Sequence, residues 1–247
     1  MSLERAAALV AAARHVVVFT GAGMSAESGV PTFRDDLTGL WARYDAGRLA
    51  TPEAFHADPD LVWGWYAWRA ARARAAEPNA GHRAVAALEA ANPATTVVTQ
   101  NVDDLHERAG STAPIHLHGS LFAPRCVGDG AHPAALADTE EPQEGRRIAP
   151  PRCGTCGALV RPGVVWFGEA LPEPALHAAV AAAAGCDVLL TVGTSGVVYP
   201  AAEIPRIAAR AGAAVIQVNP DATPLDAVST VNLRGTAATL LPALVPA

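Results

Sequence analysis

The sequence predicts an α/β fold: a mostly parallel, doubly wound sheet in one large domain, with residues to spare for a smaller lobe. Three observations carry that prediction. Short apolar strands alternate with helical runs along most of the 247 residues. The first strand, Val16 to Phe19, is β-branched and aromatic without polar alternation, which suits a parallel strand buried on both faces. That strand empties at once into Gly21-Ala-Gly23, a turn type that sits where open α/β sheets bind their ligands.

The chain opens on MSLERAAALVAAARH, whose Glu4, Arg5 and Arg14 fall at helical spacing among apolar positions. It is expected to form an amphipathic helix and not a signal peptide, since it lacks an uninterrupted apolar core. After the first strand, Gly21-x-Gly23-x-x-Ala26 is a relaxed dinucleotide fingerprint, shared with ordinary tight turns. Ser25, Glu27 and Ser28 add polar groups, and Gly29 and Pro31 interrupt any helix, leaving Thr32, Phe33 and Arg34 on a loop that could cover a nucleotide. From Asp35 to Arg83 the strand pattern vanishes and four of the five tryptophans appear; this is expected to be a helical insertion, with a helix over 61–76 ended by PNAGH.

Strands are expected at Thr95–Val102, Ile115–Leu117, Val164–Phe167, Val188–Val192, Ala214–Val218 and Thr230–Leu233, with helical runs at His82–Ala91 and Pro174–Ala184. Between Leu121 and Leu159 periodicity is lost among Pro, Gly and charged residues, and so long a loop needs something to pin it.

Composition narrows the function classes. The net charge of −6 speaks against a nucleic-acid surface, and the most apolar late stretch, 178–198, is broken by Asp187 and glycines and so is not expected to span a membrane. Four cysteines, two of them in Cys153-x-x-Cys156, suggest metal in a reducing compartment, so a cytoplasmic location is expected. Half a zinc site is complete there; Cys126 begins the other half, with Asp129 or His132 as a fourth ligand, or no metal at all. Cys186 reads as core.

Two further constellations lie at expected strand ends. Thr99-Gln-Asn-Val-Asp-Asp-Leu-His106 crowds amides and carboxylates where core packing gives no reason for them; Asn101 and Asp103 could cap a helix, bind ribose or nicotinamide, or do both. His116 and His118 are expected to face opposite sides, one buried and one toward the ligand; His118, nearer the strand's end, suits a general base. In the insertion, Tyr66 and Arg69 stand one helical turn apart, either solvated or paired to bind a carboxylate.

In this order, GAGMSAESGVPTFR, TQNVDDLHERAG, HLHGS, VVWFGE, GTS and VNPD resemble the sirtuin family of NAD-dependent protein lysine deacylases, over about Val16 to Leu240. The resemblance implies a single catalytic domain over 1–247. Its large Rossmann-like lobe would comprise 1–34, 83–120 and 160–247, and its small lobe 35–82 and 121–159, with NAD and an acyl-lysine peptide meeting between them. It carries Gly21, Ala22, Gly23, Glu27, Thr32, Phe33 and Arg34 to the cofactor loop, and Gln100, Asn101 and Asp103 to the nicotinamide and ribose side. Gly193, Thr194, Ser195, Asn219 and Ala237 go to the adenosine half. His118 matches the catalytic base, with Asn101 beside it, and Val164, Val165, Phe167, Gly168 and Glu169 match the segment on which a substrate peptide lies as an added strand.

The implied chemistry has the acyl carbonyl oxygen attack the ribose carbon that bears nicotinamide. His118 then removes a ribose hydroxyl proton, and the products are nicotinamide, lysine and O-acyl-ADP-ribose. Tyr66 and Arg69 match the pair in members that prefer succinyl- and malonyl-lysine, and Ala50 a small residue that widens their acyl pocket, so removal of these groups and of acetyl is expected. Zinc in this family is structural and held by four cysteines; the residue at Asp129 departs from that pattern. A protein ADP-ribosyltransferase and a non-catalytic NAD or ADP-ribose module are the alternatives.

Overall fold

A computed structural model describes residues 2–30, 45–92, 94–128, 134 and 145–245. Helix α1 (Ser2–Ala12) leads into β1 (Val16–Thr20). Helices α2 (Ala46–Leu49), α3 (Pro52–Ala57), α4 (Pro59–Ala75) and α5 (Ala80–Ala91) follow, then β2 (Thr96–Thr99), α6 (Leu105–Ala109) and β3 (Ile115–His116). A small antiparallel hairpin pairs β4 (Arg125–Cys126) with β5 (Val160–Arg161). The chain ends on α7 (Glu173–Gly185), β6 (Val188–Val192), α8 (Ile204–Arg210), β7 (Ala214–Val218), β8 (Val231–Leu233) and α9 (Ala237–Leu240).

The main sheet runs β3-β2-β1-β6-β7-β8 with parallel pairing throughout. Strand order departs from β1 in both directions, so the gap between the carboxyl ends of β1 and β6 is the place where such sheets form a crevice. Alternate residues explain the two buried faces. Val16 and Val18 pack with Ala6 and Val10 of α1 and Val85 and Leu88 of α5, while Val17 and Phe19 pack with Ala179 and Ala183 of α7 and Ile204 and Ala208 of α8. Cys186 lies in the second of these clusters.

From residue 45 on the insertion is helical, as its composition predicts, and its helix starts are chemically explicit. Thr51 accepts the Ala54 N–H with Pro52 at the first helical position, and Asp58 accepts the Leu61 N–H with Pro59 in the same place. The PNAGH stretch does more than stop α4: Asn79 and His82 form a capping box that begins α5. Trp65, Tyr66 and Trp68 share an apolar cluster with Phe55, Leu121 and Trp166, and Trp63 packs with Cys126, Cys153 and Val160.

Some expected strands are shorter. β2 stops at Thr99 because the Thr99 hydroxyl takes the Asn101 N–H at 3.0 Å and turns the chain out of the ladder. The strand expected at Val164–Phe167 does not form. Val164 bridges Gly119, but the Val165 N–H goes to His118 and the Phe167 N–H to Ala50, so no single neighbour runs alongside to make a ladder. No helix among the described residues is long and apolar enough to cross a membrane.

The turns after β1 and β6 touch backbone to backbone. Gly193 has φ +58°, and a Cβ on it would lie 2.5 Å from the Gly23 carbonyl carbon. Gly193→Ala should therefore lose about 3 kcal/mol in urea unfolding, the combined effect of left-handed strain and overlap; a midpoint equal to that of the unaltered protein would contradict this packing.

Candidate active site

A cleft of about 820 Å³ opens at the carboxyl ends of β1, β2, β6 and β7. Every cofactor- and substrate-side residue expected from the sequence lines it, except Thr32, Phe33 and Arg34, which lie outside the described residues, as do Asp129 and His132. The glycine turn serves differently from its expectation. The Gly21 and Gly23 N–H groups donate to Val192 and Gly193 carbonyls, and a side chain on either would strike the Gly193–Thr194 backbone. These glycines admit a second strand end, and their N–H groups are used within the protein.

Polar groups then link the strand ends. Gln100 donates from its amide to Thr194 Oγ1 at 2.8 Å, Asn219 donates to the Thr194 carbonyl at 2.8 Å, and the Glu27 carboxylate accepts the Ala238 N–H at 3.1 Å. Beneath them Ser25 is a hub. Its hydroxyl donates to Asp103 at 2.9 Å and accepts from the Asn101 amide at 3.0 Å, with His82 Nε2 at 3.5 Å. His82 Nδ1 accepts the Asn79 N–H, which leaves the ring's proton on Nε2, facing Ser25. Burial raises the Asp103 pKa against the bonds from Leu105 and Ser25. Asp103 Oδ1 accepts the Leu105 N–H at 3.1 Å from one position before Asp104, the N-cap residue of α6, so neither Asn101 nor Asp103 is the helix cap, and both line the cleft.

His116 and His118 do not divide into one buried and one facing ring. Both are half-buried, His118 lies beyond the end of β3, and only His118 of the two lines the cleft. His118 Nδ1 donates to the Gln100 carbonyl at 3.0 Å, which fixes the tautomer and leaves Nε2 as an unprotonated base. Burial lowers its pKa, opposed by that hydrogen bond.

Tyr66 and Arg69 both line the cleft, and neither is the solvated surface group that Arg72 and Arg74 nearby are. The Tyr66 oxygen accepts the Trp166 Nε1–H at 3.1 Å, leaving its own proton to donate, and burial pushes its pKa up to about 12. Burial also lowers the Arg69 pKa, opposed by Tyr66 and Asp103. The Glu169 carboxylate, also at the cleft, is already engaged: Arg161 and Arg125 grip it, and it takes the Trp166 N–H at 2.8 Å.

Some participants escaped the sequence reading. His82, in PNAGH, and Trp166, in VVWFGE, are both tied directly to expected site residues; the N-x-x-H spacing of a capping box was the available signal for the first. His106 lies against His82 with ring centroids 5.0 Å apart and bonds Thr20 Oγ1 at 3.0 Å.

The three cysteines expected to bind metal do converge: the sulfurs of Cys126, Cys153 and Cys156 lie within 4.8 Å of one another. The Gly128 N–H points at Cys126 Sγ at 3.3 Å, a donor that suits a metal-bound thiolate, so the set fits three of the four positions of a structural zinc site.

A family model described as the Sir2 family matches residues 21–200. The chain belongs to the Sir2 family. Among sirtuin relatives, it is 64% identical over 213 residues to NAD-dependent protein deacylase 1 of Pseudomonas aeruginosa, covering 86% of this chain and 85% of that one. It is 58% identical over 238 residues to the NAD-dependent protein deacylase of Methylococcus capsulatus, with 95% and 92% covered. The crystal structure of a Sir2 homolog–NAD complex superposes with a TM-score of 0.89 at 45% identity, covering 98% of this chain and 91% of that one. The Rossmann-like sheet and the cysteine cluster of this sirtuin agree with the expected fold class.

Burial, with Arg83 assisting, lowers the His82 pKa from 6.5 to about 4, and burial, with His82 assisting, lowers that of His106 to about 3. Below pH 6.5 the unfolded chain takes up protons that the folded sirtuin refuses, so stability falls on acidification toward pH 4. His82→Gln should flatten the slope of unfolding free energy between pH 6.5 and 4; an unchanged slope would mean that His82 is not held neutral.

Proposed function

We infer that this sirtuin is an NAD-dependent protein lysine deacylase, and the observation that carries the reading is His118, its Nδ1 proton committed to Gln100 and its basic Nε2 in the cleft. Close relatives named as NAD-dependent protein deacylases support the same activity. They do not support the ADP-ribosyltransferase or the non-catalytic module.

The cleft fits NAD in size and chemistry, with Gln100, Asn101 and Asp103 on one side and Thr194, Ser195 and Asn219 on the other. NAD, when bound, supplies an electrophilic ribose carbon and nicotinamide as leaving group. Asn101 and Asp103, held by Ser25, orient that ribose; Thr194, Ser195, Asn219 and Ala237 hold the adenosine half; Ala22, Glu27, Thr32, Phe33 and Arg34 complete the cofactor loop. His118 Nε2 accepts a hydroxyl proton. The acyl-lysine peptide lies along Val164–Gly168 between two lobes, the sheet lobe and one built from the helical insertion and the cysteine hairpin. The separate apolar clusters of these regions support that division. Glu169, at the end of that segment, shapes it through its arginines.

The acyl group this pocket prefers is succinyl or malonyl. A guanidinium withdrawn from water beside an un-ionised phenol is stabilised by an anionic acyl carboxylate, which Arg69 can grip by its fork and Tyr66 by its hydroxyl. Ala50, small and buried, leaves room for the longer chain.

His118→Ala should cut kcat by about 10²- to 10⁴-fold, the usual worth of a general base. Because burial lowers the His118 pKa, the base form persists on acidification and the acid limb of kcat should lie below pH 6.5. Unimpaired turnover by the variant would end the mechanism. For the pocket, Arg69→Met should lower kcat/KM on succinyl-lysine peptide by about 10²-fold or more, since truncating a buried charged partner costs several kcal/mol, while sparing acetyl-lysine. A retained succinyl preference would refute the assignment.

A further inference from the structure

We propose that His116, clamped between the Glu107 carboxylate and the Asn101 carbonyl, is a positioning residue for the deacylation reaction, holding the Gln100–Asp103 stretch at the height the chemistry needs. The proposal rests on the deacylase reading above and goes beyond it, because His116 is neither in the cleft nor among the residues assigned to cofactor, peptide or metal.

The geometry is a ladder continued by side chains. The β2–β3 pairing ends at Thr99 and His116, after which the Leu117 N–H still reaches the Thr99 carbonyl at 2.9 Å. Beyond that point the main chains part, yet the next two carbonyls do not go to solvent. His118 Nδ1 takes that of Gln100 at 3.0 Å and His116 Nδ1 that of Asn101 at 3.1 Å. Three successive carbonyls are thus held by three successive residues, two of them through imidazoles. Asn101 is held at three points: its N–H by Thr99, its side-chain amide nitrogen by Ser25, its carbonyl by His116.

The two rings differ in charge state. His118 has one acceptor partner and stays neutral, whereas His116 has two, since its Nε2 meets Glu107 Oε1 at 2.7 Å. Only the doubly protonated ring can donate to both. Burial works against that cation, but the hydrogen bond and charge of Glu107, then the Asn101 carbonyl and Asp103, outweigh it and raise the pKa above 6.5. His106 is the other titratable group facing it, and it is held neutral. As pH rises through the His116 pKa one proton remains for two acceptors. The charged carboxylate is the stronger claimant, so the Asn101 carbonyl is the bond given up. The stretch that carries Asn101 and Asp103 then loosens, and catalysis depends steeply on such placement.

Two measurements test this. In kcat/KM against pH with an acyl-lysine peptide and saturating NAD, Glu107→Gln should move the alkaline limb to lower pH and leave the acid limb, set by His118, in place. His116→Gln should remove that alkaline limb and lower kcat about tenfold or more. An alkaline limb in Glu107→Gln that superimposes on the unaltered protein's would overturn the proposal. Independently of turnover, the Val102 amide, which follows the Asn101 carbonyl, should shift in proton–nitrogen NMR spectra in step with the His116 ring as pH is raised. An amide that stays still through the ring's titration overturns the proposal whether or not any acyl peptide is consumed. An unaltered protein that turns over no acyl peptide would instead sink the deacylase reading.

Discussion

Where β1 and β6 end, two glycine turns meet without side chains between them, and the arrangement of the cleft follows from that contact. Gly21 and Gly23 donate to the Val192 and Gly193 carbonyls, so the mouth of the sheet is bonded across the gap where strand order reverses. The closeness brings Thr194 within reach of Gln100 from β2 and of Asn219 from β7. Polar residues from several strand ends thereby converge on one crevice. A bulkier pair of turns would hold the two halves of the sheet apart and leave each group in water.

Beneath that contact buried polar groups are bonded to one another. Ser25 uses its one donor and its acceptor capacity on Asp103, Asn101 and His82, and Thr20 joins Thr99 to His106. Networks of this kind are stable when every member is satisfied and costly otherwise, so they define one arrangement of the residues above them. The rigidity serves function, since Asn101 and Asp103 are oriented by bonds they already make.

Much of this was legible in the residues, and the failures have physical reasons. β1, β6 and β7 were readable because short, mostly apolar and β-branched runs suit strands buried on both faces, and their bounds agree with the fold almost residue for residue. The segment Val164–Phe167 reads equally well as a strand, but strand formation is a property of a pair. Its N–H groups find partners in His118 and Ala50, which are remote from one another in sequence. The opposite-face reading of His116 and His118 failed for a different reason: residues two apart on a strand share a face, and β3 in any case stops at His116, so only the bonds each ring makes set where it points. The cysteine spacing foretold the cluster because two of its members share one tight turn, whereas the role of Glu169 required knowing that Arg125 and Arg161 sit opposite each other across a hairpin.

That hairpin ties the cysteine cluster to the Tyr66–Arg69 side of the cleft. Arg125 adjoins Cys126, and both arginines grip Glu169 while Arg161 stacks on Trp166, its guanidinium carbon 3.4 Å from the ring centroid. Trp166 in turn donates to Tyr66, one helical turn from Arg69. Two guanidiniums on one carboxylate leave a positive excess, which favours the carboxylate form of Glu169: burial opposes its charge, yet the arginines hold its pKa below the ordinary value. The pair therefore persists through the neutral range as a charge-assisted clamp. Its consequence is that the indole beside Tyr66 is set by residues of the cysteine hairpin, so the shape of the cleft around Tyr66 and Arg69 depends on how firmly those three sulfurs are held.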